Sequence, residues 1–321
     1  MRSREAVERF ACFGASCAVH VIGAGPDGSA LAAARAARRQ LLQWHQRFSR
    51  FLPTSELSLL NSDPREEVPV TALMARLARA AAEAGAMTGG LVDATLIEQI
   101  ESAGYREDLR RPLPLATTLG LAPVRRPAAP SRDRSWQLLR VDPVGSTVTR
   151  PPGVKLDSGG LAKGLLADVL GERLARHPSF AINCGGDLRI GGAAGIEREL
   201  EVESPFDGGT LHSFRLAGVG VATSGIGRRS WLDGKGRPAH HLLDPSSGES
   251  AFTGVVQVTA LASSALLAEI RAKAAILGGA ERARAWLTDG GVIVFDDSSH
   301  EVVDPPVSLS LPACSHPALA R

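Results

Sequence analysis

The sequence has few cysteines for its length. Four occur in 321 residues, Cys12, Cys17, Cys184 and Cys314, and no two are spaced as Cys-x-x-Cys. A disulfide-based scaffold needs more cysteines than this, and a cysteine zinc site needs closer spacing. We therefore expect reduced thiols.

The sequence also lacks a charge excess and a long hydrophobic run. Its 36 Lys and Arg residues nearly balance 34 Asp and Glu residues, for a net charge of +2, whereas nucleic-acid-binding proteins usually carry a stronger basic excess. No 18 consecutive residues are apolar, charges interrupt residues 1–9 where a signal peptide is apolar, and no lipobox-like Leu-x-x-Cys follows an apolar run. These absences predict no nucleic acid partner, no stable membrane insertion and a cytoplasmic location.

The composition is that of a globular protein. The chain is 44% hydrophobic and 22% charged, which excludes a wholly disordered chain and a fibre, and its length allows one large domain or two. Strands are predicted at 17–22, 180–183, 188–190, 199–202, 214–216, 254–260 and 292–295, and helices at 29–48, after Thr71, after Asp157 and at 264–277. Because strands and helices do not alternate regularly, this order predicts the α+β class.

Two segments have the composition of irregular structure. Residues 106–134 contain five prolines, and seven arginines against three acidic residues give them a net charge of +4. We expect a surface loop or irregular insertion there, either simply solvated or able to meet phosphate. The tail from about residue 305 is rich in Pro and Ser and is expected to be irregular.

Residues 23–28 match the Gly-x-Gly-x-x-Gly pattern of dinucleotide-binding proteins. That fingerprint also requires a second strand ending in an acidic residue about 20 positions later. Here the predicted helix occupies that region, so we interpret the glycines as a tight turn.

Several segments place Gly, Ser or Thr beside a charged residue at a strand end or turn. Each segment alone is weak evidence for a site, since Gly-Gly-Asp is usually only a turn. Small residues do, however, let a backbone approach phosphate or a flat ring closely. Two of these segments are residues 48–61 and 88–95. The most specific are Asp157-x-x-Gly160-x-Ala162-Lys163-Gly164, Asn183-x-Gly185-Gly186-Asp187, Thr223-Ser224-Gly225 and His241-Leu242-Leu243-Asp244-Pro245-x-x-Gly248.

Taken in this order, the motifs resemble those of the FAD:protein FMN transferases, the ApbE family, over residues 13–279. The resemblance implies a single domain over 1–321 with a T-fold-related α+β fold, in which FAD binds in a cleft between two lobes. It also implies a transferase that joins FMN from FAD, through its phosphate, to a Ser or Thr hydroxyl of a target flavoprotein, releasing AMP. FAD would be the substrate and Mg²⁺ the metal.

The resemblance also assigns roles to individual residues. His241 matches the histidine that assists attack by the target hydroxyl, and Gly160 the position whose carbonyl helps to hold Mg²⁺. The positions that match FAD contacts are Phe13, Phe51, Leu91, Val92, Asp93, Asp157, Lys163 and Leu243.

Each of these residues also has a structural interpretation. Phe51 and Leu243 could be core residues. Asp157, or its neighbour Ser158, could be a helix N-cap. Lys163 could be a solvated helix residue, and His241 a histidine whose hydrogen bonds are satisfied within the fold.

The sequence departs from the family pattern at the expected metal ligands. The family carries Asp and Thr four residues apart on a C-terminal helix, where this chain has Glu269 and Lys273. Glutamate can still ligate Mg²⁺, but a lysine ammonium cannot. The pair is therefore interpreted either as an ordinary i, i+4 helix ion pair or as an ammonium that replaces the metal.

Three functions remain open at this point. The first is flavin transfer to a protein, the second is FAD hydrolysis to FMN and AMP, and the third is FAD binding without catalysis. The altered metal pair favours the third, whereas His241 and the motif containing Asp157 and Lys163 favour the first two.

Overall fold

A long antiparallel sheet organises the fold. The structure is a computed structural model, and it describes residues 5–26, 28–107, 112–142, 144 and 146–306. The strands are β1 (Glu5–Cys12), β2 (Ala15–Ile22), β3 (Glu67–Pro69), β4 (Arg140–Asp142), β5 (Thr147–Thr149), β6 (Ser179–Cys184), β7 (Asp187–Gly191), β8 (Arg198–Glu203), β9 (Thr210–Leu216), β10 (Gly220–Gly225), β11 (Ser230–Leu232), β12 (Pro238–His240), β13 (Val255–Ala262), β14 (Gly291–Phe295) and β15 (His300–Val303). The helices are α1 (Ala30–Phe48), α2 (Glu56–Ser62), α3 (Ala72–Met87), α4 (Ile97–Ser102), α5 (Leu115–Gly120), α6 (Ala162–Leu174), α7 (Ala265–Gly278) and α8 (Ala280–Ala283), with 3-10 turns at Ser135–Leu138 and Arg284–Trp286.

The main sheet has eight strands in the order β1-β2-β6-β7-β10-β13-β14-β15, and each neighbouring pair is antiparallel. Helices α1, α6 and α7 pack against it, and each touches the next. Small sheets form from β3, β4 and β5, from β8 and β9, and from β11 and β12. This arrangement confirms the predicted α+β class.

Two large apolar clusters form the core. One contains β2, β6, α1, α3 and α6, and the other contains β10, β13, β14 and much of α7. Leu165, Val169 and Leu170 of α6 are buried in the first cluster. Three cysteines, Cys12, Cys17 and Cys184, are buried free thiols, as expected, and Cys314 lies outside the described residues.

The glycine pattern at residues 23–28 forms a turn, not a dinucleotide site. Strand β2 runs antiparallel to both neighbours, so no parallel strand-helix-strand unit exists there. A Cβ atom on Gly25 would lie 2.7 Å from Nε2 of His177, and one on Gly23 would lie 2.5 Å from Pro178. The glycines therefore allow close packing. Asp27 lies outside the described residues.

The basic segment 106–134 is more ordered and more buried than the sequence indicated. It contains helix α5, and Leu115 and Ala128 are buried. Backbone N–H groups of Arg126 and Ala128 donate to the carbonyls of Phe252 (2.9 Å) and Leu277 (2.8 Å). Apart from α5, the described part of the segment has no regular helix or strand, as expected of an irregular insertion, but apolar side chains tie it to the second core cluster.

Two further expectations concern the chain ends and the membrane. The irregular tail expected from about residue 305 lies outside the described residues from 307 onward. Within the described part of the chain, no helix has the length and apolar character needed to cross a bilayer.

Helices α6 and α7 approach each other closely at Gly164. A Cβ atom there would lie 2.7 Å from the carbonyl oxygen of Ala265 and 2.9 Å from Oε2 of Glu269. Asp168 on α6 accepts the backbone N–H groups of Ala265 and Leu266, both at 2.9 Å, and so caps α7. The crossing therefore fixes the position of α7 relative to the start of α6.

We expect Gly164→Ala to lower the free energy of unfolding by about 1–3 kcal/mol, since the new methyl group meets backbone that cannot move aside. Gly120→Ala is the matched control, because that helical glycine has no atom within 4 Å of the added Cβ. It should leave stability unchanged or raise it by up to about 1 kcal/mol. Urea unfolding of both variants tests this, and equal stabilities would contradict the close approach.

Candidate functional site

A cleft of about 360 Å³ brings the predicted site residues together. It lies where the two core clusters meet and is walled by the β1–β2 turn, the end of α1, the start of α6 and part of α7. Eleven of the twelve residues predicted from the sequence line it: Phe13, Phe51, Leu91, Val92, Asp93, Asp157, Gly160, Lys163, His241, Leu243 and Lys273. The twelfth, Glu269, is completely buried and bonded to Lys273.

Phe13 enters the cleft from a two-residue turn. Cys12 pairs with Ala15, so Phe13 and Gly14 alone connect β1 and β2, at φ values of 56° and 65°. A left-handed conformation is unfavourable for phenylalanine, at a cost on the order of 1–3 kcal/mol. The ring packs edge-on against His45, with centroids 5.0 Å apart. The turn thus holds an aromatic ring at the cleft.

An aromatic and cationic wall faces the cleft after α1. The guanidinium of Arg50 lies 4.5 Å from the ring centre of Phe51 and 4.7 Å from that of Tyr105, and it donates to the Tyr105 carbonyl at 2.6 Å. Phe51 is 37% exposed, so its interpretation as a core residue was wrong. Leu243 is buried and also lines the cleft, so it fits both interpretations. Arg50 was not predicted, although it directly precedes Phe51.

The two cleft carboxylates are held by short local hydrogen bonds. Asp93 accepts the backbone N–H (2.8 Å) and the hydroxyl (2.5 Å) of Thr95, and burial raises the pKa of Asp93. Asp157 accepts the N–H of Gly159 at 3.0 Å. Helix α6 begins only at Ala162, and no side chain caps it at its N-cap residue, so the N-cap interpretation of Asp157 was wrong.

Four charged side chains meet at the base of the cleft, and we call Lys163, Asp187, Glu269 and Lys273 the four-charge cluster. Nζ of Lys163 bonds Oδ2 of Asp187 and lies 3.8 Å from Oε1 of Glu269, which in turn accepts from Nζ of Lys273 at 2.9 Å. Asp187 and Glu269 are almost completely buried, and the side chains of Lys163 and Lys273 are only 15% and 9% exposed. Two ammonium groups balance two carboxylates, as buried charges require.

Asp187 reaches this cluster through a glycine turn and was not predicted as a site residue. Gly185 and Gly186, at φ values of 71° and 104°, connect β6 to β7, and the side chain of Asn183 accepts the N–H of Gly186 at 2.9 Å. The signal was present in the Asn-x-Gly-Gly-Asp motif, but a turn was the simpler explanation.

Mutual attraction sets the ionisation of the Lys163–Asp187 pair. Burial disfavours the ammonium, but the carboxylates of Asp187 and Glu269 outweigh it and raise the pKa of Lys163. Burial, reinforced by Glu269, raises the pKa of Asp187 to about 6. Lys163 therefore keeps its charge at neutral pH. Because this charge is paired with carboxylates inside the fold and not in solvent, the interpretation of Lys163 as a solvated helix residue was wrong.

The residues expected to hold Mg²⁺ do not fit a metal ion. Cε of Lys273 lies 3.5 Å from where a Cβ of Gly160 would be, so this lysine occupies the space beside the expected carbonyl ligand. The two oxygens of Glu269 accept from Lys273 and from the N–H of Gly164 (3.0 Å). Among the described residues, no group of three or more His, Cys, Asp or Glu side chains could hold a metal. The i, i+4 pair does form, but in the interior rather than on a solvated face.

His241 lies at the cleft in the form of a neutral imidazole. Burial, then the positive charges of Arg229 and Lys273, hold the pKa of His241 well below its ordinary value. Within the described part of the chain, its Nδ1 has no hydrogen-bond partner. This side chain is therefore not satisfied within the fold, and a neutral imidazole can accept a proton.

The neighbouring His240 has a different environment. It is fully buried against the ring of Phe252, with centroids 4.8 Å apart, and burial lowers the pKa of His240 to about 3. It does not line the cleft. The turn after His241 is fixed by Asp244, which accepts the N–H groups of Ala129 and Ser246, both at 3.0 Å.

The cleft thus combines an apolar and aromatic surface, fixed positive charge and a neutral proton acceptor. Such a site can bind a flat ring that carries phosphate groups, and it can take a proton from an attacking hydroxyl.

Comparisons with known proteins agree with this chemistry. Residues 13–295 match the sequence model of the ApbE family. The FAD:protein FMN transferase of Salmonella typhimurium is 27% identical over 236 residues, which cover 71% of this chain and 65% of that protein. The alignment therefore spans just under two thirds of that relative.

Solved structures show the same fold. The ApbE protein of Thermotoga maritima superposes with a TM-score of 0.73 and 25% identity, covering 93% of this chain and 97% of that one. The flavinyl transferase ApbE of Pseudomonas stutzeri superposes with a TM-score of 0.74 and 20% identity, over 97% and 98% of the two chains. Because the family match extends over most of the sequence, this chain belongs to the ApbE family.

Proposed function

We propose that this chain is an FAD:protein FMN transferase, which moves the FMN part of FAD to a Ser or Thr hydroxyl of a target flavoprotein and releases AMP. The observation that carries the proposal is the neutral, half-buried His241 at a cleft that also contains the ammonium groups of Lys163 and Lys273. The name of the Salmonella relative supports it. A cytoplasmic location stays a prediction.

The cleft walls suggest how FAD would bind. The apolar side chains of Phe13, Phe51, Leu91, Val92 and Leu243 would contact the ring system. The carboxylates of Asp93 and Asp157 would accept hydrogen bonds from it or from the sugar hydroxyls. The phosphates would then face the cations at the base of the cleft.

In the proposed reaction, the hydroxyl oxygen of the acceptor attacks the phosphorus atom on the FMN side of the pyrophosphate. His241 takes the hydroxyl proton, a new phosphoester bond forms, and the bond to the AMP phosphate breaks. The proton then leaves with AMP or passes to water. The ammonium of Lys163, held in place by Asp187, stabilises the negative charge on the phosphates.

We also propose that Lys273 takes the place of the family's metal ion. The methylene carbons of its side chain lie beside Gly160 and its ammonium is bonded to Glu269, two positions where the resemblance places metal ligands. A lysine supplies one positive charge without the need to capture a cation. Glu269 would then be a positioning residue and not a metal ligand.

Incubation with FAD and a flavoprotein domain that carries the acceptor hydroxyl should add one FMN to that domain and release an equal amount of AMP. Mass spectrometry of the domain and chromatography of the nucleotides measure both products, and an acceptor Ser/Thr→Ala domain is the control. FMN and AMP without modification of the domain would identify an FAD pyrophosphatase. Bound but intact FAD would identify a non-catalytic binding protein.

We expect His241→Ala to bind FAD like the wild type but to transfer FMN about 10²–10⁴-fold more slowly, because the general base is lost. Flavin fluorescence measures the binding, and the mass of the acceptor measures the transfer. Near wild-type transfer by this variant would show that His241 is only part of the cleft wall.

The pH profile gives a second measurement on His241. Because its pKa is held well below the usual value, the base stays neutral as the pH falls from 7.5 to 6.5. An ordinary histidine, with a pKa near 6.5, would be about half protonated at the lower value. The transfer rate should therefore change little across this interval. A twofold loss of rate would argue against a base with a lowered pKa.

We expect the FAD affinity of the wild type to be insensitive to EDTA and to added Mg²⁺. Lys273→Thr should bind FAD more weakly and recover with Mg²⁺, because Thr and Glu269 can both offer oxygen ligands. Lys273→Met should bind weakly with no metal response. Lys155→Thr is the control, since Lys155 forms a surface pair with Glu98 (2.9 Å) and should behave like the wild type. Strong Mg²⁺ dependence in the wild type would defeat the replacement.

A further inference from the structure

Arg229 is a cleft residue with no role predicted from the sequence. It directly precedes β11, and its side chain lines the cleft opposite the start of α6. Its Nη2 donates to the carbonyl of Phe13 at 2.9 Å, and its own carbonyl accepts the N–H of His241 at 3.3 Å. Arg229 is thus joined to both the β1–β2 turn and the proposed base.

The charges that line the cleft are neutralised unequally. Lys163 and Lys273 are paired with the buried carboxylates of the four-charge cluster. Arg50 lies 3.5 Å from Glu101 and 3.9 Å from Asp157. For Arg229, no carboxylate of the described residues lies within ion-pair distance, and its one hydrogen bond goes to a neutral carbonyl. Arg229 therefore brings uncompensated positive charge to the cleft.

This charge acts on the groups that carry the proposed reaction. The positive charge of Arg229 contributes to the lowered pKa of His241, and it opposes the ammonium of Lys163. Arg229 is therefore close enough to both groups to interact with whatever lies between them. An anion there would relieve the repulsion between Arg229 and Lys163.

We propose that Arg229 binds the phosphate of FAD that the acceptor hydroxyl attacks, with Lys163 on the same phosphate. The inference rests on the proposed function and names a binding residue beyond those expected from the family resemblance. A guanidinium has five N–H donors, one of which is engaged with Phe13, so the others can bind phosphate oxygens in pairs. Its attraction to the phosphate would also be strongest in the transition state, where negative charge accumulates.

The alternative role is purely structural, since Arg229 also ties down the strained Phe13 turn. Arg229→Gln separates the two, because its amide can still donate to the Phe13 carbonyl but carries no charge. Arg229→Lys keeps the charge and loses the fork. Arg228→Gln is the matched control, because the neighbouring arginine is 82% exposed and lies 4.0 Å from Glu203.

The experiment measures the affinity of each variant for FAD and for riboflavin, which has no phosphate, by flavin fluorescence. We expect Arg229→Gln to lose roughly 10- to 100-fold in FAD affinity with riboflavin affinity unchanged, as for a lost hydrogen bond to a charged group. Arg229→Lys should keep much of the FAD affinity, and Arg228→Gln all of it.

Two outcomes would overturn the role of Arg229. One is unchanged FAD affinity in Arg229→Gln, and the other is an equal loss for FAD and riboflavin, which would assign the residue to the turn. Failure of the wild type to bind FAD would instead overturn the proposed function, and it is seen without any variant.

Discussion

The four-charge cluster is the interaction on which the site depends. Its carboxylates come from β7 and α7, and its ammonium groups from α6 and α7, so it joins three elements of the sheet-and-helix core. Removing one member of such a buried group leaves an uncompensated charge, which is far more costly than losing a surface pair. Gly164 makes the cluster possible, because only a residue without a side chain lets α6 lie close enough to Glu269. Packing and electrostatics are therefore one constraint here.

In the proposed reaction, the cluster would also change how positive charge is supplied to the substrate. A bound divalent ion brings two charges but must be captured, whereas Lys163 and Lys273 are held permanently by their own carboxylates. These carboxylates also reduce the field that the ammonium groups present to a phosphate. Arg229 adds charge that no carboxylate of the described residues offsets, so in the proposed reaction it would complement the cluster rather than repeat it.

The sequence predicted which residues meet at the cleft more completely than it predicted the individual strands around them. The motifs place eleven of twelve expected residues on one cleft, because turns and glycines at strand ends leave a recognisable pattern. Strand β10 was not predicted, since Gly-Val-Ala-Thr-Ser-Gly begins and ends with glycine and has only two β-branched residues. The structure gives the reason: a Cβ at Gly220 would lie 2.0 Å from the Ser264 backbone. Small residues are needed where α7 crosses the sheet.

Other features depend on contacts between distant parts of the chain and have no local signal. Arg229 looks like the exposed Arg228 beside it, and only the fold turns one of them into the cleft. The burial of Glu269 and Lys273 likewise could not be predicted, since an i, i+4 pair has the same sequence pattern on a solvent-exposed and on a buried helix face. The sequence of 106–134 suggested solvent exposure because its prolines and arginines outnumber the few apolar side chains that anchor it.

The hydrogen bond between Ala129 and Asp244 has a consequence for how the protein forms. These residues are 115 positions apart, and the bond between Gly164 and Glu269 spans 105 positions. Before contacts of such sequence separation can form, the chain must close long loops at a cost in conformational entropy, so these contacts form slowly. Because the turn after His241 and the base of the cleft both rely on them, the site is complete only when segments more than 100 residues apart have come together. During synthesis, a chain that does not yet include α7 therefore lacks Glu269 and Lys273, and its site is incomplete.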